Sequence, residues 1–176
     1  FGWILNVFQR GVGALDRIDE VLSAEPDIPA ASDEQAPPFA IESGIEIQGL
    51  SFSYDGQRLV LDDLSLSLPA GKTIALVGGV GSGKSTLAAL LARTYAVPRD
   101  AIKIDGTDIN DIPTVRWRRS VGFVPQEGFL FSRTLRQNIS LNRVSVTSEQ
   151  VDEAVRTARL DRDLEQLPDG LETVVG

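Results

Sequence analysis

Gly78, Gly83, Lys84 and Ser85 stand in the spacing G-x-x-x-x-G-K-[ST], with an apolar run before them and a helical pattern after. That combination suits a polyphosphate. Glycines at these steps let successive backbone N–H groups converge on an anion, and the N-terminus of the following helix adds about half a positive charge. Gly79, Val80, Gly81 and Ser82 complete the backbone cradle. Lys84 would neutralise the β- and γ-phosphates of a nucleoside triphosphate, the Ser85 hydroxyl would coordinate Mg²⁺, and Thr86 would add a hydrogen bond to a phosphate.

The neighbouring segments carry the periodicities needed to hold such a loop. Two alternating runs, Ile45 to Tyr54 and Arg58 to Leu68, suit an antiparallel pair. The continuously apolar run Thr73 to Val77 suits a buried strand feeding the loop. A helix is expected from Lys84 to about Tyr95, a strand in "AIKIDG", and another buried strand in "SVGFVPQ". Beyond Thr134, "TLRQNI" and "TSEQVDEAVRTARL" read as helices, the second opened by a capping box at Thr147 or Ser148. The fold class that follows is α/β: a P-loop domain with an antiparallel subdomain before the loop and the start of a helical subdomain after about Glu127.

Composition narrows the chemistry. A chain of 176 residues with 42% hydrophobic content has the material for one domain with a core. A net charge of -8 argues against a nucleic-acid partner, because tracking a phosphate backbone calls for a basic excess. With no Cys there is no disulfide framework or thiolate metal site, and with no His the commonest general base is missing. The chain also lacks Met and begins Phe1-Gly2-Trp3, so the expectation is an internal fragment of a longer protein.

Ahead of the domain, Ile4, Phe8, Gly11, Leu15, Ile18 and Leu22 alternate in steps of four and three, an amphipathic helical stripe close to a heptad period. Two readings fit this stripe: a helix packed on its own domain, or the cytoplasmic end of a transmembrane helix. Residues 24–43, rich in Pro and acids, read as a linker. The organisation is therefore a connecting helix over 1–23, the linker over 24–43, and a nucleotide-binding domain over 44–176.

Within the P-loop proteins, a GTPase should add N-K-x-D, and no Asn precedes Lys103 in "AIKID". Small-molecule kinases place the loop at the start of the domain, whereas here an antiparallel pair precedes it. From Ile45 to Gly176 the sequence resembles the nucleotide-binding domain of an ATP-binding cassette transporter of the exporter type. That resemblance implies three further assignments. An aromatic about two dozen positions before the loop stacks on adenine, and "SFSYDG" supplies Tyr54. A glutamine closing an apolar strand reaches Mg²⁺ and the attacking water, and "VGFVPQEGFLF" supplies Gln126, which with Lys84 makes the catalytic pair. "GWILNVFQR" followed by "ALDRIDEVL" resembles the junction of the last membrane helix with the cassette, which favours the membrane reading of the stripe.

The cofactors implied are ATP and Mg²⁺, and the partners are a second nucleotide-binding domain, a transmembrane domain in the same chain and the membrane, with the cassette on the cytoplasmic face. The family's hydrolytic glutamate, Ser-Gly-Gly signature and switch histidine have no counterpart here; Asp62, Asp63 and Asp105 read as structural. The fragment is therefore expected to bind ATP, and hydrolysis coupled to export is expected of the intact protein. The alternatives are a soluble cassette acting on nucleic acid or ribosomes, or a catalytically degenerate binding module. The "RWRR" run, Arg116 to Arg119, reads most simply as a solvated helix face, the alternative being a contact with the membrane domain or lipid headgroups.

Overall fold

In "GIEIQGLSF" the apolar positions change step from two to three, and the strand they form, β1 (Gly44–Phe52), responds with a bulge. The register against the antiparallel β2 (Leu61–Pro69) shifts between Ile47 and Leu50, so both side chains point into the core despite an odd separation. Ser hydroxyls cover the irregularity, with Gly49 N–H donating to Ser65 Oγ and Asp63 N–H donating to Ser51 Oγ. Asp63 sits there at a φ of 50°, a local structural role.

The computed structural model describes residues 2–25, 27–28 and 39–176, in two units, Phe1–Phe123 and Val124–Gly176. Most of the expected linker lies outside the described residues. The first unit is built on a four-stranded antiparallel sheet of order β2-β1-β3-β4, completed by β3 (Ile102–Ile104) and β4 (Thr107–Asp108). Its core gathers Ile47, Leu50, Leu90, Ile102, Ile104 and Trp117, each essentially without solvent contact. Two helices pack there, α2 (Lys84–Leu91) and α3 (Thr114–Ser120).

Helix α2 stops at Leu91, earlier than its sequence pattern predicts, because α3 supplies partners for the carbonyls at its end. Trp117 Nε1 donates to Leu91 O at 2.7 Å, and the Arg118 guanidinium donates to Arg93 O at 2.7 Å. Arg93, itself buried and at a φ of 52°, donates to Ile112 O. The "RWRR" run is thus a clamp as much as a surface: Trp117 is buried, and the Arg116 guanidinium lies 5.2 Å from the centre of the Phe39 ring. Phe39 packs edge-on against Trp117, so the end of the expected linker belongs to the domain. The Asp105 carboxylate accepts the N–H groups of Glu42, Ser43 and Gly44, which hold its pKa below the usual carboxylate range.

Two expectations fail. Residues 72–79 and 121–125 form no strand, and Leu76, Val77, Phe123 and Val124 are exposed. A continuously apolar strand is buried only between neighbours on both edges and both faces, and among the described residues no strand pairs with either run.

The N-terminal helix, α1 (Gly2–Ser23), forms as predicted, with Phe8, Leu15, Ile18 and Leu22 exposed along its stripe. Among the described residues no helix is long and apolar enough to cross a membrane. The second unit pairs β5 (Arg133–Thr134) with β6 (Val174–Val175) around helices α4 (Leu135–Ser140), α5 (Ser148–Thr157) and the short α6 (Asp161–Leu164). Capping boxes open α4 at Thr134 with Gln137 and α5 at Thr147 with Gln150, which resolves the two candidates for the second box. Arg136 bridges to Glu172 at 2.6 Å.

Candidate functional site

The loop from Gly78 to Gly83 rises from the exposed run 72–79 and ends on α2, whose Thr86, Leu87 and Leu90 are buried. Those three residues fix the helix, and with it the N–H groups of its first turn, which helix geometry leaves without intrahelical acceptors. Gly83 makes the junction in the left-handed region, at a φ of 86°. Lys84 turns its ammonium back over the loop, donating to Gly78 O at 2.8 Å, Gly79 O at 2.7 Å and Ser82 Oγ at 3.1 Å. All three ammonium protons therefore point at loop oxygens, and the charge sits inside the curve of backbone that a phosphate would enter. Ser85, on the first turn, is exposed, and Val80 projects entirely into solvent.

Tyr54, 24 positions before Gly78 in the sequence, is brought to the same place. Its hydroxyl lies 2.9 Å from Thr86 Oγ1, which ties the end of β1 to the first turn of α2. Tyr54 remains 54% exposed. Phe52 and Tyr95 close on it, each with a centroid 5.1 Å away and planes near perpendicular. Tyr95 is the residue that sequence reasoning missed. The signal was there as an aromatic nine positions after Thr86, but a helix continued to Tyr95 hides the turn that swings it towards Tyr54.

The turn after Tyr54 is organised by one carboxylate. Asp55 accepts the N–H groups of Gln57 and Arg58 and the Ser53 hydroxyl, and these bonds lower its pKa from 3.8 to about 2. A depressed carboxylate stabilises the turn fully above pH 3.8 and ceases to do so as the pH falls through about 2. A carboxyl-carbon NMR titration should therefore place the Asp55 midpoint near 2. A midpoint at the model-peptide value would mean that the turn is not held this way.

Gln126 lies in the second unit, exposed in a bend. The structure thus gathers Tyr54, Gly78 to Thr86 and Tyr95 within one unit, and Gln126 belongs to the other.

The ABC transporter family model matches residues 61–174, well over half of the chain. The chain belongs to the ABC transporter family. Relatives of this ABC transporter chain include the probable multidrug resistance ABC transporter ATP-binding/permease protein YheI of Bacillus subtilis, 38% identical over 99% of the chain and 30% of that protein. Another is the ATP-dependent lipid A-core flippase of Pseudomonas fluorescens, 38% identical over 98% of the chain and 29% of the flippase. Among solved structures, a bacterial Atm1-family ABC exporter with ATP bound superposes with a TM-score of 0.80 at 30% identity, covering 99% of this chain and 31% of the exporter. The ABC transporter chain therefore spans about 30% of the length of these relatives. The P-loop class expected from the sequence is that of the family, and the antiparallel sheet is its visible part here.

Proposed function

We propose that this chain is the ATP-binding part of an ABC exporter, and that in the longer protein ATP hydrolysis is coupled to moving a substrate across a membrane. The observation that carries this reading is the meeting of Tyr54 with the first turn of α2 through Thr86, which puts an exposed aromatic face beside a phosphate loop. A nucleoside triphosphate needs both ends held. The loop N–H groups and Lys84 bind the phosphates, and Tyr54 stacks on the base.

Mg²⁺ fits as a guest of the phosphates rather than of the protein. No group of three His, Cys, Asp or Glu among the described residues could hold a metal, and this ion keeps waters and phosphate oxygens in its shell. Ser85 Oγ on the first turn of α2 would be the donor for it, and the family resemblance implies Gln126 as a second. When bound it would supply charge neutralisation at the transferring phosphoryl group. Phosphoryl transfer to water would rely on Lys84 for phosphate charge and on Gln126 for orienting the water. The names of the relatives, which join an ATP-binding part to a permease, support a transmembrane domain in the same protein; a second cassette as partner and a place on the cytoplasmic face are proposed from the family resemblance.

The test is Tyr54→Ala in the full-length protein. Loss of a base–aromatic stack worth about 1–3 kcal/mol should weaken ATP binding about ten- to a hundredfold. Binding of inorganic triphosphate, which has no base, should stay the same. Equal affinity of the variant and the parent for ATP would remove Tyr54 from the site.

A further inference from the structure

We infer that Tyr95 is a positioning residue for nucleotide binding: it orients the Tyr54 ring so that its face meets the base. The inference rests on the reading of Tyr54 as the base-stacking residue. A ring attached at the end of a strand can rotate about two side-chain torsions, and a face is useful for stacking only if its plane is fixed before the ligand arrives. Three contacts fix it. The Thr86 hydroxyl bonds the phenol tip at 2.9 Å. Phe52, the last residue of β1 and two residues earlier in the chain, packs at an interplanar angle of 86°. Tyr95 packs at 78° with centroids 5.1 Å apart, and it comes from a segment 41 positions away.

Because the angles are near perpendicular, neither neighbouring ring lies flat on Tyr54, and the residue keeps 54% of its surface exposed for a ligand. Tyr95 is also set on firm ground. It follows the end of α2, where Arg93 donates to Ile112 O and accepts from Arg118, so the chain carrying Tyr95 is anchored to the core through α3. Tyr95 further touches Phe52, with centroids 6.0 Å apart, closing a triangle of three rings. Its part is packing by the ring, so the hydroxyl should be dispensable.

The experiment measures ATP and inorganic triphosphate binding to the full-length protein for Tyr95→Leu, Tyr95→Phe, Tyr54→Ala and the double variant Tyr54→Ala/Tyr95→Leu. Aromatic pairing is worth a fraction of a stack, so Tyr95→Leu should weaken ATP binding roughly three- to tenfold, leave triphosphate binding within about twofold, and be rescued by Tyr95→Phe. In the Tyr54→Ala background, Tyr95→Leu should add nothing, because its effect runs through Tyr54. An undiminished effect of Tyr95→Leu in that background, or an equal loss of triphosphate binding, would overturn the inference, since either marks a structural role. Unchanged ATP binding in Tyr95→Leu alongside a loss in Tyr54→Ala would overturn it and leave the base-stacking reading intact. Unchanged binding in Tyr54→Ala would overturn both.

Discussion

Lys84→Ala should lower the affinity for ATP about ten- to a thousandfold in the full-length protein while moving the melting temperature little. The estimate follows from charge. A cation at about 4 Å from a phosphate charge, at an effective dielectric of about 20, contributes about 4 kcal/mol, and charge-assisted hydrogen bonds measured by mutation give about 1.5–3 kcal/mol. In the present geometry the ammonium is satisfied by Gly78 O, Gly79 O and Ser82 Oγ, so binding exchanges three neutral acceptors for charged ones. Only the difference between those sets of bonds drives association, which places the lower end of the range near tenfold. Stability should be nearly unaffected because the loop oxygens are exposed and water can replace the ammonium. Calorimetric titration with ATP checks the first part and a thermal melt the second. An affinity within threefold of the parent would show that the loop does not hold the phosphates.

Gly83→Ala should cost more stability than any other substitution in the loop, about 2–5 kcal/mol. Two effects add. The residue has a φ of 86°, where an L side chain is strained by about 1–2 kcal/mol. A Cβ would also stand 2.5 Å from Leu61 Cδ2 and 3.0 Å from Val60 O, and overpacking of this kind costs about 1–3 kcal/mol. Leu61 is buried at the start of β2 and Val60 O is backbone, so neither can yield cheaply. Gly81 is the natural control. Its φ is 79°, but nothing lies within 4 Å of a Cβ there, so Gly81→Ala carries the strain alone. Chemical denaturation of both variants should therefore separate them by the overpacking part, and equal costs would mean that the α2 junction does not press on β2. Nucleotide binding should fall in Gly83→Ala as well, because relief of the clash has to move the first turn of α2.

Local chemistry explains what was legible before the fold. The phosphate loop is written in residue types at fixed steps, Gly78, Gly83, Lys84 and Ser85, and its meaning depends only on a helix beginning where it does. The same is true of the capping box expected at Thr147 or Ser148, a reciprocal bond across three residues, and of the β1 and β2 alternation, which needs only a near neighbour in the chain. The sequence by itself therefore determined the G-x-x-x-x-G-K-S motif with the helix that starts at Lys84, and the antiparallel pair. Tertiary structure alone decided the rest. It turned Trp117 and Arg118 inwards to finish α2, brought Tyr54 to Thr86 across 32 positions, and swung Tyr95 onto Tyr54. Among the described residues it also left the apolar runs 72–79 and 121–125 without strand partners. Burial, helix termination and ring contacts are properties of pairs distant in sequence, and no periodicity within one segment encodes which distant segment will meet it.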